Sequence, residues 1–404
     1  MTRRRVAITG LGAISPAGPT MPTTWERIVA GDSAIGPLML PQMDELPCPI
    51  AAQIHDFDPD AHFTAKRLGS LDRMSQFAVV AAREAVADAG LEPDDATLAQ
   101  ADVVVGVSVG GMTTLDDSFQ RLYREQRRSV HPLTIPKLMA NAPASQISMD
   151  LGLHGNTFAV ASACASGTHA IGLAYRAVLH GDCDIAITGG SEASITPGTM
   201  TGWSALRILS RDTCRPFSRN RSGLVLGEGS AILVLEEWEH AVARKARIYA
   251  ELVGFGANAD AGDLTSPDQA GAEGAMRRAL ASAGLDPAAI DYINAHGTGT
   301  LINDVVESRA IRAVFPSEKL PPVSSIKGVL GHCLGAAGAF EALATALALH
   351  HQIVPPTANC SEPDAECGLD VVPEGARQAV LRHALSNSFA FGGLNAVLAF
   401  GRSA

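Results

Sequence analysis

The chain has 404 residues and a formal net charge of −11, from 31 Lys plus Arg against 42 Asp plus Glu. Apolar residues make up 47% and charged residues only 18%, which excludes a disordered chain and predicts a large buried core. Mild acidity argues against a general nucleic-acid binder. Seven cysteines with no CxxC pair argue against a zinc ribbon or a disulfide scaffold, and a reducing cytoplasm is expected.

Arg3, Arg4 and Arg5 precede the apolar run Val6 to Ile14. Glycines and Pro16 break that run, so it reads as a buried strand turning into a loop rather than a signal peptide. Gly10-Leu11-Gly12-Ala13-Ile14-Ser15 nearly matches G-x-G-x-x-G. Ser15 holds the third position, Pro16 follows, and no acidic residue closes a second strand at the expected distance. A tight turn is therefore favoured over a dinucleotide site.

Apolar, β-branched runs predict strands at Val6–Thr9, Val103–Val107, Thr157–Val160, Ile185–Thr188, Ala231–Leu235, Ile248–Gly256, Tyr292–Ala295, Pro322–Ser325, Ala384–Ser388 and Ala396–Phe400. Helical patterns fall at Ser75–Ala89, Cys164–Leu179, Ala272–Ala283, Asp304–Val314 and Gly335–His350. The alternation predicts an α/β protein with largely parallel, buried strands. The stretch Leu334 to Leu349 carries Glu341 and reads as a core helix, so no membrane span is expected.

The chain carries an internal echo. Phe158-Ala159-Val160 leads through a small-residue turn with Cys164 into an Ala/Gly-rich helix, and Val323-Ser324-Ser325 leads through Gly331-His332 into another. Two similar halves follow, residues 1–250 with the cysteine and residues 251–404 with two histidines, and a site where they meet.

Four stretches carry chemistry. In Ala161 to Ala170, Cys164 sits where a strand turns sharply into a helix, so the helix N-terminus favours its thiolate and free backbone N–H groups can hold an oxyanion. His296 lies in Asn294-Ala295-His296-Gly297-Thr298-Gly299-Thr300, at a strand end. His332 lies in Lys327-Gly328-Val329-Leu330-Gly331-His332, before a helix. Asn387-Ser388-Phe389-Ala390-Phe391-Gly392-Gly393-Leu394-Asn395 joins two strands, either as a plain hairpin or as a gate with one N–H aimed into a site. No His pair has metal-ligand spacing beside an acidic residue, so no catalytic metal is expected.

In this order, these stretches resemble the elongating β-ketoacyl-acyl-carrier-protein synthases of type II fatty-acid and polyketide systems. Arg215-Pro216-Phe217, Gly227-Glu228-Gly229 and Gly331 to Gly338 add to the match, which runs from Val6 to Phe400. The resemblance implies a thiolase-type fold, two similar halves in a five-layer α-β-α-β-α sandwich. It implies ping-pong acyl transfer to Cys164, then decarboxylative Claisen condensation with malonyl-acyl carrier protein. Cys164, His296 and His332 match the family triad. Lys327 would support the His332 site with Glu341 as partner, and the N–H groups of Cys164 and Phe391 would form an oxyanion hole. Thr298 and Thr300 match pantetheine-holding positions. Val109, Phe389 and Glu341 fall among the substrate-binding positions, and Phe391 matches the gating aromatic. Lys66, Arg67 and Arg207 are docking candidates for an acidic carrier protein. The implied partners are acyl carrier protein, acyl and malonyl thioesters, and a second subunit. That subunit is a like copy, or a non-catalytic chain-length factor in a heterodimer. No cofactor is bound; phosphopantetheine arrives on the carrier.

Ala390 and Leu394 depart from the family's usual Gly and Thr, Gly299 from Ser, and Ser166 from Thr. None removes a catalytic group. Ala390 and Leu394 tilt the reading toward a specialised pathway, such as a polyene or polyketide. A thiolase would need a second cysteine base, and Cys333 reads as a core residue. A Cys-His hydrolase would be opposed by low water access in a deep tunnel, a property the sequence does not carry.

Overall fold

The computed structural model describes residues 4–40, 48–92, 95–315, 317–373 and 375–403. The first half runs β1 (Val6–Ile14), α1 (Arg73–Asp88), β2 (Asp102–Gly106), α2 (Ala142–Leu151), β3 (Thr157–Val160), α3 (Ser166–His180), β4 (Ile185–Glu192), α4 (Pro197–Ala205) and β5 (Gly229–Glu237). The second half runs β6 (Ala250–Ala259), α5 (Gln269–Ala283), β7 (Tyr292–Asn294), α6 (Leu301–Val314), β8 (Val323–Ser324), α7 (Ala337–His351), β9 (His383–Ala390) and β10 (Leu394–Arg402).

One ten-stranded sheet has the order β8-β7-β9-β10-β6-β1-β5-β4-β2-β3. Outward from the centre, the halves read β1-β5-β4-β2-β3 and β6-β10-β9-β7-β8, the same path twice. Cys164 follows β3 and His332 follows β8, at equivalent points of the repeat. Helices α1 and α2 cover one outer face and α5 and α6 the other, with α3 and α7 packed between the halves. This is the five-layer α-β-α-β-α arrangement of the thiolase-type fold.

The strands are not largely parallel. Pairing is antiparallel through the middle five contacts and parallel only at the two flanks. Strands buried on both faces read as continuous apolar runs whichever way they pair, so the pattern does not encode direction. The tight turn expected after Thr9 is also corrected. Strand β1 continues to Ile14 through a bulge between Ile8 and Gly10. A Cβ on Gly12 would lie 2.0 Å from the Ala81 carbonyl oxygen, so this glycine serves close packing of α1 on the strand.

The central helices explain the depth of the site. Every residue from Ala337 to Leu349 is buried. Phe340, Leu343, Leu347 and Leu349 each contribute ~1.5–3 kcal/mol on leaving water. A Cβ on Gly338 would lie 2.0 Å from Thr168 Oγ1, so α3 and α7 touch backbone to backbone only because that position is glycine. The contact brings the loops before both helices into one space. Among the described residues, no helix is long and apolar enough to cross a membrane.

Candidate active site

Cys164 sits on a sharp elbow. Ala163 takes φ 49°, an uncommon value for a residue with a side chain, and α3 begins at Ser166. The elbow is held by Ser166, whose Oγ donates to the Ala163 carbonyl and accepts from the Ser162 N–H. The His296 loop is held from α6. Glu307 accepts the N–H groups of His296 and Gly297, each at 2.8 Å, and Asp304 accepts those of Thr298 and Gly299 at 3.1 and 3.2 Å. Residues 304 and 307 are one helical turn apart and share a face. That spacing, directly after the histidine loop, was the readable signal for two residues the sequence reading missed.

His296 and His332 lie ring to ring, centroids 5.4 Å apart and nearly perpendicular. Both are buried and line, with Cys164, one cavity of about 400 Å³. The Leu334 N–H donates to His332 Nδ1 at 3.2 Å, so Nδ1 is the acceptor and the ring proton belongs on Nε2. Lys327 Nζ lies 3.3 Å from His296 Nδ1 and 2.5 Å from the His296 carbonyl oxygen. An ammonium only donates, so His296 also carries its proton on Nε2. Burial holds both imidazoles well below the usual histidine range, helped by the Lys327 charge. Two neutral Nε2–H donors result.

Lys327 pairs with Glu341, which also accepts from Ser388 Oγ at 3.2 Å. Burial raises the Glu341 carboxyl to about 7 against the pull of Lys327. Glu341 therefore lies behind the histidines, paired with Lys327, and does not line the cavity as a substrate-binding residue.

The Cys164 thiol is not partly ionised as its helix position suggested. Burial pushes it up to about 12, while Lys327 and the N–H groups of Phe391 and Cys164 itself pull it down. Desolvation outweighs a single helix end at a site this deep. The same two N–H groups converge on Sγ, as an oxyanion hole requires.

Thr298, Thr300, Phe389 and Phe391 line the cavity, and the two threonine hydroxyls lie 2.9 Å apart. Residues 391–393 form a hairpin turn between β9 and β10, with Gly392 and Gly393 at φ 80° and 66°. Leu206, Arg207, Leu264 and Ile302 stand at the mouth. Val109 is not in the cavity; the residue is 49% exposed after β2. Of the docking candidates, only Arg207 reaches the mouth. Lys66 is exposed on the helical turn Ala65–Leu68. Arg67 donates to the Gln146 carbonyl oxygen at 3.2 Å and lies 4.0 Å from Asp150. Trp203, absent from the sequence reading, stacks on Phe391 with centroids 6.0 Å apart.

Comparison with known proteins joins this geometry to a family. The model of the beta-ketoacyl synthase N-terminal domain matches residues 3–241, and that of the C-terminal domain matches residues 249–361. Nodulation protein E of Rhizobium sp. (strain N33) is 46% identical over 98% of this chain and 99% of its own. The 3-oxoacyl-[acyl-carrier-protein] synthase 2 of Staphylococcus aureus (strain N315) is 42% identical over 98% of each chain. The solved ishigamide ketosynthase/chain length factor superposes with TM-score 0.96 at 36% identity, covering 100% of both chains. Similarity at these levels, running through both halves and the loops that carry Cys164, His296 and His332, leaves one assignment: the chain belongs to the β-ketoacyl synthase family.

Proposed function

We propose that this chain condenses a carrier-bound acyl group with malonyl-acyl carrier protein, lengthening it by two carbons. The observation that carries the reading is one buried cavity holding a thiol with two N–H groups at its sulfur, facing two neutral imidazoles that each present Nε2–H.

The first half-reaction exchanges thioesters. The acyl carbon passes from the pantetheine sulfur to Cys164 Sγ, and the Cys164 proton ends on the departing thiol. The N–H groups of Cys164 and Phe391 hold the tetrahedral oxyanion. In the second, malonyl thioester loses CO2, and the electron pair of the broken C–C bond becomes an enolate. The Nε2–H groups of His296 and His332 stabilise the enolate oxygen. Its carbon attacks the acyl carbon on Cys164; a C–C bond forms, the C–S bond breaks, and the departing thiolate takes a proton from solvent.

Thr298 and Thr300 hold the pantetheine arm, and Arg207 meets an acidic carrier protein at the mouth. Phosphopantetheine arrives with the carrier, and the enzyme holds no cofactor of its own. Two copies pair along β3. This strand is the sheet edge, its Phe158 is 41% exposed, and Val109 is exposed on the same flank, where a partner would cover it. The compartment is the cytoplasm, and acyl length and pathway follow from pocket shape at Ala390, which lines the cavity.

Cys164→Gln tests the division of labour. It should form no acyl-enzyme yet still release CO2 from malonyl carrier protein. Loss of CO2 release with the fold intact would remove the histidines from that role.

A further inference from the structure

We propose that Trp203 is a positioning residue: its indole, stacked on Phe391, holds the hairpin turn closed with the Phe391 N–H on the Cys164 sulfur. The inference rests on the condensing reaction proposed above.

Trp203 lies near the C-terminal end of α4, an element with no counterpart among the described residues of the second half. Both rings line the cavity that holds Cys164, with 22° between their planes. Phe391 thus has two duties in one residue. Its backbone borders the cavity beside Cys164, and its ring leans on Trp203.

Among the described residues, three backbone hydrogen bonds also hold the turn, one of them within it, from the Gly393 N–H to the Ala390 carbonyl oxygen at 3.1 Å. The Gly392 N–H donates to the Leu264 carbonyl oxygen at 2.7 Å, and the Gly393 carbonyl accepts from the Asp260 N–H at 2.8 Å. Gly392 and Gly393 sit in the left-handed region, where glycine alone has no steric penalty, so no Cβ restrains this backbone. The Phe391 ring is the piece that must move for an acyl chain to pass, and Trp203 is the ring it must leave. A stacked pair is worth about a two- to twelvefold bias in such an equilibrium. The closed form has the oxyanion donor in place; the open form admits the chain. Trp203 therefore trades ease of admission against the geometry of the chemistry.

The test is steady-state condensation with an acyl carrier protein donor. Trp203→Leu should lower KM for the donor and lower kcat, each by about two- to twelvefold. A merely structural defect would lower kcat without lowering KM. Trp203→Phe, which keeps a ring, should recover most of both. In a Phe391→Leu background, Trp203→Leu should add nothing, because the partner is already gone. Unchanged constants in Trp203→Leu, a raised KM, or effects that multiply independently in the double variant would overturn the latch. A wild-type chain that never acylates Cys164 would overturn the condensing reaction and the latch together. Acylation with a multiplicative cycle would overturn the latch alone.

Discussion

The Lys327 ammonium is the group on which the two-histidine arrangement turns. It is 1% exposed, donates to the His296 carbonyl, faces His296 Nδ1 and pairs with Glu341. In Lys327→Ala, two things change. Glu341 keeps its place in the core without a cation, and breaking one side of a buried pair costs about 3–5 kcal/mol. His296 loses the donor at Nδ1, so its proton is no longer confined to Nε2. Loss of one oxyanion donor costs about 10²–10³ in rate, or ~2.7–4 kcal/mol. The assay is CO2 release from malonyl carrier protein, read beside a denaturant midpoint. Lys327→Met combined with Glu341→Gln removes both charges, so it should regain most of the stability and none of the decarboxylation. Full recovery of CO2 release in that double variant, or a Lys327→Ala rate within about twofold of wild type, would refute the tautomer argument.

Four further outcomes follow from the same structure. Both histidines have folded pKa values well below 6.5, so decarboxylation should show no fall centred on 6.5; such a fall would contradict neutral, buried imidazoles. Their contribution to stability is present above about 6.5 and lost as pH falls toward their folded values, whereas Glu307, raised from 4.5 to about 7, contributes stability that is lost as pH rises through that interval. Glu307→Gln should therefore gain on wild type between pH 5 and 7, as urea midpoints will show. Arg207→Glu at the cavity mouth should raise KM for an acidic carrier about tenfold at low salt, ~1.4 kcal/mol, with the gap closing as salt is added. Gly12→Val drives a side chain into the Ala81 carbonyl and should cost at least ~1–3 kcal/mol, seen as a lowered Tm.

Much of the site was legible because its chemistry sits in short, unusual loops. A cysteine at a strand–helix elbow and two histidines among glycines stand out from a background of Ala and Val. The strand Thr157–Val160 fell where its β-branched run placed it. What escaped the sequence depends on neighbours distant along the chain. Gly10 and Gly12 look like a turn until α1 is packed on them. Val109 looks like pocket lining until the second half is seen to close the cavity elsewhere. The Cys164 ionisation follows helix position only while burial is ignored, and Arg67 looks like a free surface charge until Gln146 and Asp150 are placed beside it. Trp203 offered no pattern at all: its role is visible only from the ring it stacks on.

The central claim is acyl transfer to Cys164 followed by its discharge with malonyl carrier protein. Intact mass of the purified chain, incubated with acyl carrier proteins of several lengths and then with malonyl carrier protein, tests it directly. The predicted result is an acyl mass on Cys164, absent in Cys164→Ala, that disappears as a β-ketoacyl product two carbons longer. Acylation only after a second, non-catalytic subunit is added would replace the homodimer with a heterodimer. No acylation under either condition, or full acylation of Cys164→Ala, would contradict the account.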